Sequence, residues 1–282
     1  MTPGMNLFLW TDRVTEAHCG VLDGLAGTGF GTVEIPALYV EAEAPYRAAR
    51  GWCQALGLAR TTCAALPPEC NPASPDPTIR AAALERLKRT IDCTAAVGAT
   101  TLVGPLHSAL GHFTGAPATA DEWRWSVETV RTAGEHAAKA GVALSIEPLN
   151  RFECYLLNDH RSGARYVREI GLPNVGLLYD TFHAHIEEKD PAAVLAEVLP
   201  VVNHFHASEN DRSTPGAGQV RWAETFATLK RGGWNGVLMV EAFGMALPGL
   251  AAATRIWRPM FDSPEQLTRD AVGFLHSAWA AA

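Results

Sequence analysis

The chain of 282 residues is 48% hydrophobic with a formal net charge of -7, long enough to bury one large core and too acidic overall for a general nucleic-acid binder, which needs a basic face to neutralise phosphates. No run of about 18 apolar residues occurs, so no membrane partner is expected. The six cysteines (Cys19, Cys53, Cys63, Cys70, Cys93, Cys154) form no CxxC pair, which predicts reduced thiols in a cytoplasmic protein rather than a zinc ribbon or a disulfide framework.

Short runs rich in apolar and β-branched residues recur along the chain, each bounded by Gly, Pro or polar residues and followed by a longer stretch of helical period. The pattern predicts strands near Met5–Trp10, Thr32–Ile35, Ala59–Ala65, Thr100–Gly104, Ala143–Glu147, Val175–Asp180, Val202–Ala207 and Val237–Ala242. The clearest helices are Pro77–Val97, Asp121–Ala140 and Pro264–Ala280, where apolar residues return every three or four positions. Asp76, Asp190 and Ser263 each stand before a proline and read as N-caps, while Gly98 and Gly141 read as stops. Eight alternating β and α units predict a single-domain (β/α)8 TIM barrel over residues 1–282, with a doubly wound open sheet as the structural alternative. The long segments Leu66–Pro75 and Leu106–Ala120 follow predicted strands, which puts them on the C-terminal face where barrel enzymes build their sites.

In the second half, four apolar strands end in a polar residue: Glu147 in SIEP, Asp180 in GLLYD, His206 in HFHAS and Glu241 in LMVEAF. A carboxylate at the end of a buried strand must be paired, protonated or bound to a cation. One alone could simply bond backbone amides or an arginine. Four on adjacent strands at one rim point to a divalent metal ion, and three carboxylates with one imidazole suit Mn²⁺, ahead of Co²⁺ or Mg²⁺, better than a closed structural zinc site. His204, two residues before His206, faces the same side and is expected to be a hydrogen-bonded core histidine rather than a fifth ligand. The glycines of GLPNVG and STPGAGQ match neither a dinucleotide nor a P-loop fingerprint, so no nucleotide cofactor is expected.

EPLNRFECYLLN, GLLYDTFHAHIEEKD, HASENDRSTPGAGQVRW and MVEAFG resemble the D-tagatose 3-epimerase family, which includes the D-psicose (allulose) 3-epimerases, among the xylose-isomerase-like sugar isomerases. IWRPMFDSPEQL and LPPECNPASPDP extend the likeness over most of the chain. The resemblance implies metal ligation by Glu147, Asp180, His206 and Glu241, the four residues already chosen on physical grounds. It further implies substrate binding by Glu153, His183 and Arg212, and a homodimer or homotetramer. The implied activity is interconversion of free ketoses at C3 (D-tagatose, D-fructose and D-psicose, or L-ribulose), with Glu147 and Glu241 as the proton-transferring residues. An aldose–ketose isomerase of the hydroxypyruvate isomerase kind would use the same metal and enediolate, and a metal-dependent dehydratase a similar barrel. An endonuclease on this barrel would need several metals, more histidines and a basic surface. Near the N-terminus the likeness thins: where many members carry a run of tyrosines before the tryptophan, this chain reads GMNLFLW.

Overall fold

A computed structural model describes residues 1–282. Eight strands, β1 (Thr2–Asn6), β2 (Thr32–Pro36), β3 (Ala59–Cys63), β4 (Thr101–Gly104), β5 (Ala143–Ile146), β6 (Val175–Asp180), β7 (Val202–Ala207) and β8 (Val237–Val240), close into a barrel in chain order. Every neighbouring pair is parallel, and β8 returns to pair with β1. The open-sheet alternative is thereby excluded. Ten helices, α1 (Cys19–Thr28), α2 (Ala44–Ala55), α3 (Pro77–Ala96), α4 (Ala120–Lys139), α5 (His160–Ile170), α6 (Thr181–Glu187), α7 (Pro191–Val198), α8 (Trp222–Arg231), α9 (Pro248–Thr254) and α10 (Pro264–Ala281), connect or follow the strands. None is long and apolar enough to cross a membrane.

The capping residues act as their chemistry dictates. The side chains of Asp76, Asp190 and Ser263 accept hydrogen bonds from the backbone N–H of Thr78, Ala193 and Gln266, satisfying donors that a helix start leaves open. Gly98 and Gly141 follow the ends of α3 and α4 with φ of 73° and 71°, the left-handed conformation that a side chain would disfavour.

The first predicted strand needs correction. β1 stops at Asn6, and Leu7–Leu9 form a 3-10 turn instead of continuing to Trp10. The Asn6 side chain accepts from Phe8 N–H at 2.8 Å and so ends the ladder. The LFL run is apolar because the turn itself is buried. Two short helices, α6 and α9, lie in the loops after β6 and β8, where the sequence pattern predicts no separate helix.

Along β7, inward and outward residues alternate. His204 and His206 point into the barrel, whereas Phe205 is fully buried against the helical layer, its ring stacked 5.7 Å from that of Tyr179. Phe205→Ala is expected to cost about 3–5 kcal/mol of unfolding free energy through lost burial and a residual cavity. Urea denaturation of metal-free protein measures it, and a loss below about 1 kcal/mol would show that the layer collapses around the gap.

Candidate metal centre and sugar pocket

The parallel register decides which polar groups meet. Asp180 pairs directly with His206 across β6 and β7, and Glu147 and Glu241 follow the last residues of β5 and β8. One ligand atom from each of Glu147, Asp180, His206 and Glu241 lies within 4.8 Å of the others, and all four side chains are buried. His206 Nδ1 is 3.4 Å from Glu241 Oε1, 3.6 Å from Asp180 Oδ2 and 4.0 Å from Glu147 Oε1.

Two buried atoms at the centre of this group have no hydrogen-bond partner, His206 Nδ1 and Asp180 Oδ2. Each of these side chains is fixed from its other end. Asp180 Oδ1 accepts from Phe182 N–H at 2.6 Å, capping α6, and His206 Nε2 bonds Glu34 Oε1 at 2.9 Å. Buried polar atoms are costly when unsatisfied, and three carboxylates this close repel one another. A divalent cation answers both problems, and the oxygen-rich donor set fits a hard or borderline ion. The chain therefore contains a buried site able to coordinate a divalent metal.

Ionisation follows from these contacts. Burial pushes the Glu147 carboxyl upward and neighbouring Glu241 adds to the shift, while His183 opposes it. For Asp180, burial works in the same direction, but His206 and His183 outweigh it and hold the group below the usual carboxylate range. Burial disfavours the His206 imidazolium, yet Glu241, Glu34 and Asp180 raise it well above an ordinary histidine.

Above the cluster opens a cavity of about 430 Å³. Glu147 and Glu241 line it, as do Glu153, His183 and Arg212, whereas Asp180 and His206 do not. The cluster and the three additional residues thus form one site. Arg212 is buried, pairs with Glu153 Oε1 at 3.1 Å and Glu241 Oε2 at 3.2 Å, and lies between the Phe182 and Phe243 rings, 3.9 and 4.7 Å from their centroids. Its φ of 59° is unusual for a side-chain-bearing residue, and such backbone strain concentrates at functional sites. His183 Nδ1 accepts from Asn150 N–H at 2.9 Å, so the ring proton is on Nε2, which stands 3.5 Å from Glu147 Oε1.

Four supporting residues were not identified from the sequence. Glu34 is fully buried between the two histidines of β7, with His204 Nε2 2.9 Å from its Oε2. His204 accordingly contacts this carboxylate and lies outside the four-residue cluster. Asn6 bonds Glu34 Oε1 at 2.9 Å. His107, lowered by burial to about 4 and therefore neutral, meets the Glu147 carbonyl at 3.0 Å and must donate to it. Glu209 accepts from Gly216 N–H, Val220 N–H and Trp222 Nε1 at 2.8–2.9 Å, which gathers the loop carrying Arg212. The available signal was a charged residue within an apolar strand at Glu34, and the HASEND run at Glu209.

The rest of the lining is different in character: Phe8, Leu38, Leu110, Leu247, Leu250 and Ala253 are apolar, and Asp12 and Thr254 bring a carboxylate and a hydroxyl. Cys63 also lines the cavity, and its thiol is raised far above the usual range by burial and by Glu34, Glu241 and Glu147, so it is protonated and a poor nucleophile.

Residues 22–278 match the family described as xylose isomerase-like TIM barrel. A ketose 3-epimerase of Arthrobacter globiformis is 31% identical, the match covering 80% of this chain and 78% of that protein. A D-psicose 3-epimerase of Agrobacterium fabrum is 27% identical over 92% of this chain and 91% of its own length. Among solved structures, an L-ribulose 3-epimerase superposes with a TM-score of 0.93 at 28% identity, covering 100% of this chain and 95% of that one.

Proposed function

The chain belongs to the xylose isomerase-like TIM barrel family, in its ketose 3-epimerase group, and on that footing we propose that it inverts free ketoses at C3, with Glu147 and Glu241 as the two proton-transferring residues. The observation that carries the assignment is the division within the cluster. All four residues offer a ligand atom, but only the two glutamates also face the cavity. Asp180 and His206 then serve as ligands alone, and each glutamate combines ligation with proton transfer.

Glu147, Asp180, His206 and Glu241 would hold a divalent cation, whose Lewis acidity would polarise the C2 carbonyl and stabilise the enediolate charge. Mn²⁺ is the ion this reading favours, since imidazole and carboxylates together suit it. One glutamate takes the C3 proton; the other returns a proton to the opposite face, which inverts the carbon. In the metal-free chain burial raises the Glu147 carboxyl. Arg212, held planar between two aromatic rings, and His183, with Nε2–H facing the cavity, donate hydrogen bonds to sugar oxygens. Glu153 holds Arg212 in place and offers an acceptor to a hydroxyl. The reading includes one domain over residues 1–282, a cytoplasmic setting in keeping with six free thiols, and a homodimer or homotetramer.

The test is to incubate metal-loaded enzyme with a panel of ketohexoses and ketopentoses and resolve the products. C3 epimers are expected, with solvent deuterium entering at C3. Aldoses or dehydrated products would overturn the assignment. Because the lining beyond the polar cluster is largely apolar, hydroxyls beyond C3 gain few hydrogen bonds there, and such a wall rejects a misplaced hydroxyl only weakly. Substrates differing at C4 or C5 are therefore expected to fall within about 100-fold in kcat/KM. A preference of 10⁴-fold or more, on the order seen where a site hydrogen-bonds the discriminated group, would contradict that reading of the wall.

A further inference from the structure

Glu34 is the buried charge beside the metal cluster that the proton-transfer scheme leaves without a task. Its carboxylate is held on every side. Oε1 accepts from His206 Nε2 and Asn6 Nδ2, each at 2.9 Å, and Oε2 accepts from Thr61 Oγ1 at 2.8 Å with His204 Nε2 2.9 Å away. The barrel itself builds this arrangement, since Asn6, Glu34 and Thr61 are paired in register across β1, β2 and β3. The Asn6 amide has its orientation fixed, because Oδ1 accepts from Phe8 N–H; its Nδ2 therefore turns to Glu34 and stands 3.4 Å from Glu241 Oε1.

An ionised carboxylate only accepts hydrogen bonds, so the proton of a neutral His206 must be on Nε2. The opposite tautomer would set a nitrogen lone pair against Glu34 Oε1 and an N–H where the cluster needs a donor atom. We propose that Glu34 is a positioning residue for the metal centre. It fixes the His206 tautomer and ring orientation, turns Nδ1 toward Glu147, Asp180 and Glu241, and strengthens that nitrogen as a ligand. This rests on the four-ligand reading of the site.

The experiment is metal titration of the chelator-stripped full-length protein, independent of any sugar. Binding of Mn²⁺ and Co²⁺ is followed by calorimetry and by the visible spectrum of bound Co²⁺, alongside the melting midpoint of each metal-free protein. Glu34→Gln keeps the side-chain shape and removes the charge; it is expected to weaken binding by about 10–100-fold. A merely structural role would lower the metal-free midpoint and leave the metal affinity alone. An affinity within twofold of the parent therefore overturns the proposal. Should the Gln variant not fold, Thr61→Val deletes one hydrogen bond to the carboxylate at nearly constant shape. Metal binding severalfold weaker is then expected, and an unchanged affinity overturns the proposal equally. A parent protein that binds no divalent ion would bring down the four-ligand reading as well, whereas a parent that binds while both variants match it brings down Glu34's role alone.

Discussion

Glu147→Gln and Glu241→Gln are each expected to lower kcat for C3 epimerisation by ~10²–10⁴-fold at saturating metal, the range that positioned acid–base groups contribute. The substitution is nearly isosteric and leaves one oxygen able to ligate, so the loss is chiefly that of the proton carrier. Metal affinity should fall too, since a charge leaves the site, and bound metal must be quantified in each assay. Isotope exchange gives the sharper signature. With one glutamate disabled, the other can still remove and return a proton on its own face. Each variant is then expected to incorporate solvent deuterium at C3 of one epimer without inverting it, and the two variants should choose opposite epimers. Near-parent kcat in either variant, or exchange into the same epimer in both, would rule out two bases acting on two faces.

Stripping the metal is expected to abolish turnover and to cost stability. A ligand that binds only the folded chain stabilises it by ~2.7 kcal/mol at 100 times its dissociation constant. Each kcal/mol moves the midpoint by about 2–4 °C in chains of 150–250 residues, so a shift of roughly 5–10 °C follows. The sign of the pH dependence comes from His206 and Glu147, both raised in the metal-free protein. Each holds its proton more tightly than an ordinary histidine or glutamate, and ligation must displace it. Metal affinity is therefore expected to weaken as pH falls, with proton release visible as buffer-dependent heat in calorimetry. Asp180→Asn tests the repulsion itself. Asn keeps the oxygen that caps α6 and replaces the unpartnered Oδ2 by a donor facing carboxylates. The variant should lose metal and, because His206 and His183 favour the ionised Asp180 in the metal-free fold, melt lower than the metal-free parent; a higher midpoint would show that repulsion among the carboxylates outweighs that attraction.

The four-residue cluster was legible because each member terminates an apolar run at a strand end, and strand direction then brings four consecutive ends to one rim. The barrel was legible for a similar reason: the alternation of short apolar, β-branched runs with longer stretches of period 3.6 survives in most segments. Glu34 was not legible as a site residue. Its partners Thr61 and His206 are 27 and 172 positions away in sequence, and only closure of the barrel makes them neighbours. Glu153, His183 and Arg212 came from family resemblance alone. What sets Arg212 in the cavity lining is its left-handed backbone, the Glu209-anchored loop and the two rings around it, features that a polar loop sequence does not display. The error at Met5–Trp10 has the opposite origin. Burial gave Leu7–Leu9 the composition of a strand, although Asn6 had already turned the chain.

The pairing of Glu34 with the histidines of β7 also bears on how the barrel comes to be made. β1–β4 contain Glu34 with Asn6 and Thr61, but His206, which balances its charge, is 172 residues further on. A half-barrel ending after β4 would leave that carboxylate without its cationic counterpart on an uncovered sheet face. It would also expose the strand edges that β5 and β8 cover. The first half is thus poorly suited to stand alone while the second is being synthesised, and the carboxylate that holds His206 ties β2 of one half to β7 of the other.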